Sequence, residues 1–375
     1  MGSSQIRVDR HFSSRLNSVA LNYALNVKTA DDDFWELVSG RKRGWRATLR
    51  RIGLRAASWA YALAIWIRNR LYDLGWLRVE YVSAPVISVG NLTVGGTGKT
   101  PCVEYIARYL SDRGYRVSIL SRGYGSAGGA SDEAMLLEGH LPDVPHLVGA
   151  DRASLARAAM EELESDALIL DDGFQHRRLA RTFDLVLIDS TEPWGFGSQL
   201  PRGLLRESPG ELRRASGIMI SRCELASPDR LTAIRERIAR LAPNTPVFES
   251  EHRPVCWINS DGRQLAVSDL QDGKMMAFCG IGNPNAFFQT VEMSGGNLID
   301  RRVYPDHHRY SRADVEELER WAANAPDAIV VTTEKDLVKL RIANLGGRAL
   351  WALRVGLIVR TGEEQLKQML DRLLP

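Results

Sequence analysis

Between Val86 and Pro101 the chain reads Val-Ile-Ser-Val-Gly-Asn-Leu-Thr-Val-Gly-Gly-Thr-Gly-Lys-Thr-Pro, and a helical apolar period follows from Val103 to Leu110. An apolar strand that turns through glycines into a helix has few three-dimensional solutions. The glycines let successive backbone N–H groups point inward, the helix adds its positive N-terminal end, and the loop wraps an anion. In the pattern G-x-x-x-x-G-K-[ST], Lys99 reaches the β and γ phosphates of a nucleoside triphosphate and Thr100 holds Mg²⁺. Thr93, Val94, Gly95, Gly96, Thr97 and Gly98 form the rest of the cradle. One position departs from the pattern, because Thr93 stands where the first glycine is expected.

A chain of 375 residues is long for a single core, and two domains are expected. From Pro85 onward apolar runs alternate with helical periods, the mark of a doubly wound α/β domain. Strands are expected at 86–89, 117–120, 168–170, 185–188, 218–220 and 247–249, with helices at 102–113, 152–164, 211–215 and 229–241. A second, smaller α/β unit is expected from Pro254, with strands at 275–279, 297–304, 328–331 and 349–357 and helices at 284–293, 311–323 and 363–374. The resulting division is an N-terminal extension over 1–33, a basic helical segment over 34–80, a nucleotide-binding domain over 81–253 and a smaller domain over 254–375.

The formal net charge of +3 is too small to mark a nucleic-acid protein, but its distribution is uneven. Arg41, Lys42, Arg43, Arg46, Arg50, Arg51 and Arg55 lead into Ala56–Ile67, a run without charge that carries Trp59 and Trp66. That run of 12 residues is too short to span a bilayer, which takes about 20. Two readings stand for Arg41–Trp76: an amphipathic helix lying in anionic headgroups, or a helix buried on the domain with solvated arginines. The cysteines, Cys102, Cys223, Cys256 and Cys279, are far apart and read as buried thiols of a reducing compartment. Met1–Asp33 is mostly polar and lacks the apolar segment of a signal peptide.

Residues just beyond the strand ends are the ones to inspect in such a sheet. After 168–170 come Asp171, Asp172, Gly173, Phe174, Gln175 and His176. Paired carboxylates there suit a Mg²⁺-organising role beside the phosphate loop. After 117–120 comes Ser121-Arg122-Gly123-Tyr124-Gly125, where Arg122 suits a phosphate, and then Asp132 and Glu133. Transfer of a phosphoryl group to a hydroxyl needs a carboxylate near the acceptor oxygen, and Asp132 is a candidate. The loop 194–207 carries Arg202 and Arg206, either as an anion clamp or as a solvated loop. His307 and His308 are adjacent and point in different directions, and no third metal ligand is spaced to join them.

These pieces together resemble the tetraacyldisaccharide 4'-kinases. The matching residues are Ser88–Pro101, Ser121–Gly125, Asp132-Glu133, Asp171–Arg177, Leu204–Glu207, Pro305–His308 and Thr332–Asp336, in order along the chain. Ser131-Asp132-Glu133-Ala134 stands where Gly-Asp-Glu-Pro is expected, and Thr93 is ordinary for the family. The resemblance implies a P-loop kinase with a mainly parallel sheet. It would use ATP and Mg²⁺ to phosphorylate the 4'-hydroxyl of an acylated glucosamine disaccharide 1-phosphate, the lipid A precursor, as a peripheral enzyme on the cytoplasmic face of the bacterial inner membrane. It makes Asp132 and His307 a catalytic dyad beside Lys99. Thr100, Glu133, Asp171 and Asp172 become metal organisers, and Arg122, Gln175, His176 and Arg206 substrate contacts. It also favours the interfacial reading of Arg41–Trp76, with no protein partner and no nucleic acid implied. The rival is a membrane-associated ATPase switch of the MinD and ParA kind, whose signature lysine would fall at Val94 and which leaves the second unit without a role.

Overall fold

Apolar runs of five to seven residues, buried along their whole length, become the central strands. Strands covered on both faces read as continuous apolar runs, and they belong to parallel sheets. A computed structural model describes residues 34, 36–123 and 132–374, the side chains of Asp132 and Glu133 excepted. The expectations for 1–33 and for Tyr124–Ser131 lie outside the described residues. The chain divides into two compact units, Met1–Gly53 and Leu54–Pro375. In the described part of the first, Val38 and Ala47 are buried and the Arg51 guanidinium donates to the Lys42 carbonyl at 2.9 Å.

Helix α1 (Trp45–Asp73) enters the second unit at Leu54. Strand β1 (Val86–Asn91) then runs into α2 (Lys99–Ser111), β2 (Val117–Ser121), α3 (Asp132–His140) and β3 (His146–Val148). Next come α4 (Arg152–Glu161), β4 (Ala167–Asp171), β5 (Phe183–Asp189), β6 (Gly217–Ser221), α5 (Pro228–Leu241) and β7 (Val247–Ile258). Local chemistry sets several boundaries. Ser227 caps α5 ahead of a first-turn proline, and Leu231, Ile234 and Ile238 recur on its buried face. Glu211–Ala215, expected as α-helix, is a 3₁₀ segment (Pro209–Arg214).

The later half supplies β8 (Gln264–Ala266), β9 (Lys274–Cys279), α6 (Pro284–Met293), β10 (Asn297–Val303), α7 (Arg312–Ala323), β11 (Ile329–Thr333) and α8 (Glu334–Leu340). It ends with β12 (Asn344–Leu345), β13 (Arg348–Thr361) and α9 (Glu363–Asp371). Among the described residues the strands form one sheet in the order β10-β9-β11-β13-β7-β6-β5-β1-β4-β2-β3, with β12 paired to β13 and β8 to β7. Strand β7, expected to stop at Glu249, continues to Ile258, so Pro254 lies inside it.

The register of two long strands decides where the site forms. The first parallel block joins β7 only at its start, Val247–Glu249, through β6. The second joins β13 only near its start, Leu350–Leu353, through β11. Between these joints β7 and β13 pair antiparallel, from Glu249 opposite Thr361 to Ile258 opposite Ala352. Each long strand therefore projects beyond the carboxyl edge of its own block towards the other block. Two carboxyl edges, the places where such sheets bind ligands, face each other across this ribbon.

Candidate active site

Strand β1 lies between β4 and β5, and Val89 is level with Asp171. The loop that leaves β1 and the Asp171-Asp172 pair that leaves β4 are thus neighbours. Thr93 forms an antiparallel bridge to Leu205, and the Val94 N–H donates to the Leu204 carbonyl at 2.8 Å. A β-branched residue suits that extended backbone, which accounts for threonine where the strict pattern has glycine. Inside the loop, Asn91 donates to Thr97 Oγ1 at 2.8 Å and Ser221 Oγ donates to the Thr97 carbonyl at 2.8 Å. Gly98 ends the loop at φ 86°, and a Cβ there would stand 2.7 Å from the His252 ring. Both the left-handed backbone and the ring demand glycine.

Lys99 opens α2 and its Nζ lies 3.4 Å from Asp172 Oδ1, while the Arg206 guanidinium reaches Asp172 Oδ2 at 2.7 Å. Asp172 sits at φ 53°, a left-handed conformation that short polar residues tolerate. Burial would raise its pKa, but Lys99 and then Arg206 outweigh that and hold the carboxyl below its ordinary range. Arg206 also donates to Gln175 Oε1 at 3.4 Å, and Gln175 passes the chain on to the Asn91 carbonyl at 2.9 Å. Asp172, expected as a metal organiser, pairs with two cations here.

The opposed edges enclose a cavity of about 1000 Å³ lined by the loop from Val94 to Thr100 and by Arg122, Asp171, Asp172, Gln175, His176, Arg206 and His307. Most of the expected residues are therefore brought together; Thr93 lies in the bridge to Leu205, and Asp132 and Glu133 are not among the described lining residues. Asp132 and Glu133 begin α3, but their side chains lie outside the described residues. His307 is about half exposed at φ 57°, with Nε2 4.0 Å from Asp306 Oδ1. Its neighbour His308 turns away: it stacks on Tyr304 with centroids 4.8 Å apart and lies 3.2 Å from Asp314 Oδ2. The second block reaches the loop itself, since a Cβ on Gly282 would come within 3.0 Å of the Gly96 nitrogen.

The cavity is cationic, and Arg68, Arg152, Arg177, Arg178 and Arg222 also line it. Two histidines stay neutral there. Burial, then Arg152, Arg181 and Arg178, lowers His176 to about 4, and burial with Arg222 lowers His252 to about 3. His252 was not anticipated: it lies on the polar part of β7, where no apolar pattern marks a strand. Among the described residues no group of three or more His, Cys, Asp or Glu is arranged to hold a metal alone. A nucleotide-bound Mg²⁺ needs only one or two protein oxygens beside phosphates and water, and the buried Thr100 and Asp171 side chains supply that donor chemistry.

Along α1 the polar side chains are the ones held. Ser58 Oγ donates to the Gln199 carbonyl at 2.9 Å and Tyr61 OH to the Arg206 carbonyl at 3.0 Å. The fully buried Glu207 is gripped by Arg68 and Arg214, and Arg177 donates to the Asn69 carbonyl at 2.9 Å. Of the loop read as either an anion clamp or a solvated loop, Arg206 enters the cavity and Glu207 anchors the helix.

Such a cleft takes a phosphate-bearing ligand on the loop and leaves a cation-lined space beside α1 for a second one, which is the layout of a P-loop phosphotransferase. Residues 50–375 match the family model described as tetraacyldisaccharide-1-P 4'-kinase, and the chain belongs to that family. The tetraacyldisaccharide 4'-kinase of Anaeromyxobacter dehalogenans (strain 2CP-C) is 41% identical over 330 residues, covering 83% of this chain and 87% of that one. The enzyme of the same name from Syntrophus aciditrophicus (strain SB) is 41% identical over 342 residues, covering 84% and 90%. LpxK from Aquifex aeolicus, in a crystal structure of an apo form in complex with ATP, aligns with a TM-score of 0.68 at 31% identity, covering 87% of this chain and 99% of that one. The ATPase-switch alternative is not favoured by these relatives.

Proposed function

We propose the following division of labour for the family reaction, transfer of the γ-phosphoryl group of ATP to the 4'-hydroxyl of tetraacyldisaccharide 1-phosphate in lipid A biosynthesis. The observation that carries it is the meeting of the phosphate loop, the Asp171-Asp172 pair and His307 in one cationic cleft. The loop N–H groups and Lys99 hold the β and γ phosphates. Asp172, pinned by Lys99 and Arg206, keeps both cations aimed at the phosphate path. Thr100 and Asp171, with Glu133, hold Mg²⁺, which offsets phosphate charge when bound. Asp132 orients the acceptor hydroxyl and, with His307, takes its proton as the new O–P bond forms; the bond from γ phosphorus to the β-phosphate oxygen breaks and ADP leaves. A carboxylate alone is a weak base at neutral pH, and an imidazole beside it receives or relays the proton. Arg122, Gln175, His176 and Arg206 contact the substrates, and the segment 254–375 closes the cleft.

The test is acceptor labelling. Purified protein in detergent is expected to move label from γ-³²P-ATP to the disaccharide 1-phosphate. ATP hydrolysis with an unlabelled acceptor would overturn the assignment.

Membrane contact rests on the inverted polarity of α1. Its tethered face is polar, while Trp59, Leu63 and Trp66 are 69%, 57% and 56% exposed at i, i+4, i+7 spacing. Leaving a large apolar side chain in water forgoes roughly 1.5–3 kcal/mol, and a basic, tryptophan-bearing face suits an anionic lipid surface. No described helix is long and apolar enough to cross a membrane. On this reading the enzyme meets its acylated acceptor as a peripheral protein at the cytoplasmic face of the inner membrane. Replacing Trp59, Leu63 and Trp66 together by serine should abolish co-sedimentation with anionic phospholipid vesicles and leave phosphorylation of detergent-dispersed acceptor nearly intact. Equal sedimentation of parent and variant would refute it.

A further inference from the structure

His140 is the last residue of α3, and its side chain is almost wholly buried. Its Nδ1 lies 2.8 Å from Glu104 Oε2 and its Nε2 3.0 Å from Glu334 Oε1. A neutral imidazole has one N–H, so two carboxylates on its two nitrogens require the doubly protonated ring. The two partners come from different parts of the sheet. Glu104 lies in α2, one helical turn beyond Thr100, and Glu334 opens α8 at the carboxyl end of β11. The groups facing the ring continue the alternation of charge. Arg108 of α2 donates to Glu104 Oε1 at 3.1 and 2.9 Å and to the His140 carbonyl at 2.8 Å. Arg354 of β13 donates to Glu334 Oε1 at 2.9 and 2.8 Å, and Arg341, just past α8, lies 3.6 Å from Met135 Sδ of α3. Glu104, His140 and Glu334 all line the cavity.

We propose that His140 is a positioning residue. As an imidazolium gripped by Glu104 and Glu334, it fastens α3 between the phosphate-loop helix and the second parallel block, and so sets where Asp132 stands at the other end of that helix. The inference rests on the reading of Asp132 as the acceptor-side carboxylate. An α-helix of this length is a stiff rod, so a displaced C-terminal end displaces its first residue. Burial would lower the ring pKa, but the Glu104 and Glu334 carboxylates outweigh it and raise it from 6.5 to about 9. The folded value lies above the ordinary one, so the grip is complete below about 6.5 and is lost as pH rises through about 9.

The test uses the full-length chain. In protein with ¹³C-labelled histidine rings, the His140 resonance, assigned with His140→Gln, should titrate near 9; a midpoint at or below the ordinary histidine value overturns the grip. His140→Gln should lower kcat by about tenfold to a hundredfold while the Kd for a fluorescent ATP analogue stays within about threefold. Glu334→Gln, which leaves the ring in place and removes one negative charge, should move the alkaline limb of kcat to lower pH. That shift serves as the readout if His140→Gln does not fold, and an unmoved limb overturns the proposal. An inactive Asp132→Asn alongside a His140→Gln of parental kcat overturns the proposal alone. A fully active Asp132→Asn overturns the reading beneath it and the proposal with it.

Discussion

Lys99→Ala should fold like the parent and transfer phosphoryl groups about a hundredfold to a thousandfold more slowly. The ammonium that opens α2 lies 3.4 Å from Asp172, within the nucleotide cleft. Its removal takes away a preorganised charge where the transferred group becomes more negative, and solvent cannot replace it without reorganising. The side effect has a definite sign. Asp172 is depressed by two cations against its burial; with Lys99 gone only Arg206 opposes that burial, so the carboxyl pKa rises. A depressed carboxylate contributes stability above its unfolded pKa and loses it as pH falls, so the variant should melt below its parent at neutral pH and draw level with it as pH falls, lacking part of the parent's acid-side loss. Lys99→Arg should not rescue activity, because a planar guanidinium does not replace a compact ammonium within the loop. The measurements are kcat at saturating acceptor and melting temperature across pH. A variant that keeps more than about a tenth of parental kcat would show that the charge is not needed.

Asp132→Ala and His307→Ala are each expected to lower kcat by about a hundredfold or more, and the double variant should be little worse than either. Groups that act as one unit are non-additive: once the carboxylate is gone, the imidazole has nothing to relay. His307 suits the role in its backbone as well as its chemistry. Its φ of 57° is a conformation that a histidine adopts infrequently, and it directs the residue to the cleft while His308 packs into the aromatic cluster. Losses that multiply, measured under single-turnover conditions so that binding and release do not intrude, would separate the two residues and break the dyad.

Much of this chain was legible before any coordinates. Fully buried parallel strands leave continuous apolar runs, so β1, β2, β4, β5 and β6 were placed within a residue or two. Helix α6 was placed at its observed limits, where Pro284 follows the Asn283 cap. The phosphate loop and the Asp171–His176 run were legible because their chemistry requires particular residue types at particular spacings. Strand β7 beyond Glu249 was not legible, because its polar residues are paired by distant partners. Glu249 takes Arg235 of α5, Glu251 takes Arg360 of β13 as well as its strand neighbour Arg253, and Pro254 falls at a register shift. Helix α3 was missed as well, and with it His140, whose two carboxylates come from 36 and 194 residues away.

The sequence by itself determined the nucleotide loop, the carboxylate pair beside it and the kind of sheet that presents them, because each depends on neighbours in the chain or on local backbone preference. Only the tertiary structure decided that two carboxyl edges face each other across the β7–β13 ribbon. It alone decided that Asp172 is held by Lys99 and Arg206, and that His252 stays neutral against Gly98 while His140 is charged between Glu104 and Glu334. Those outcomes are set by strand register and by burial against distant charges, and neither is encoded in the spacing of residues along the chain.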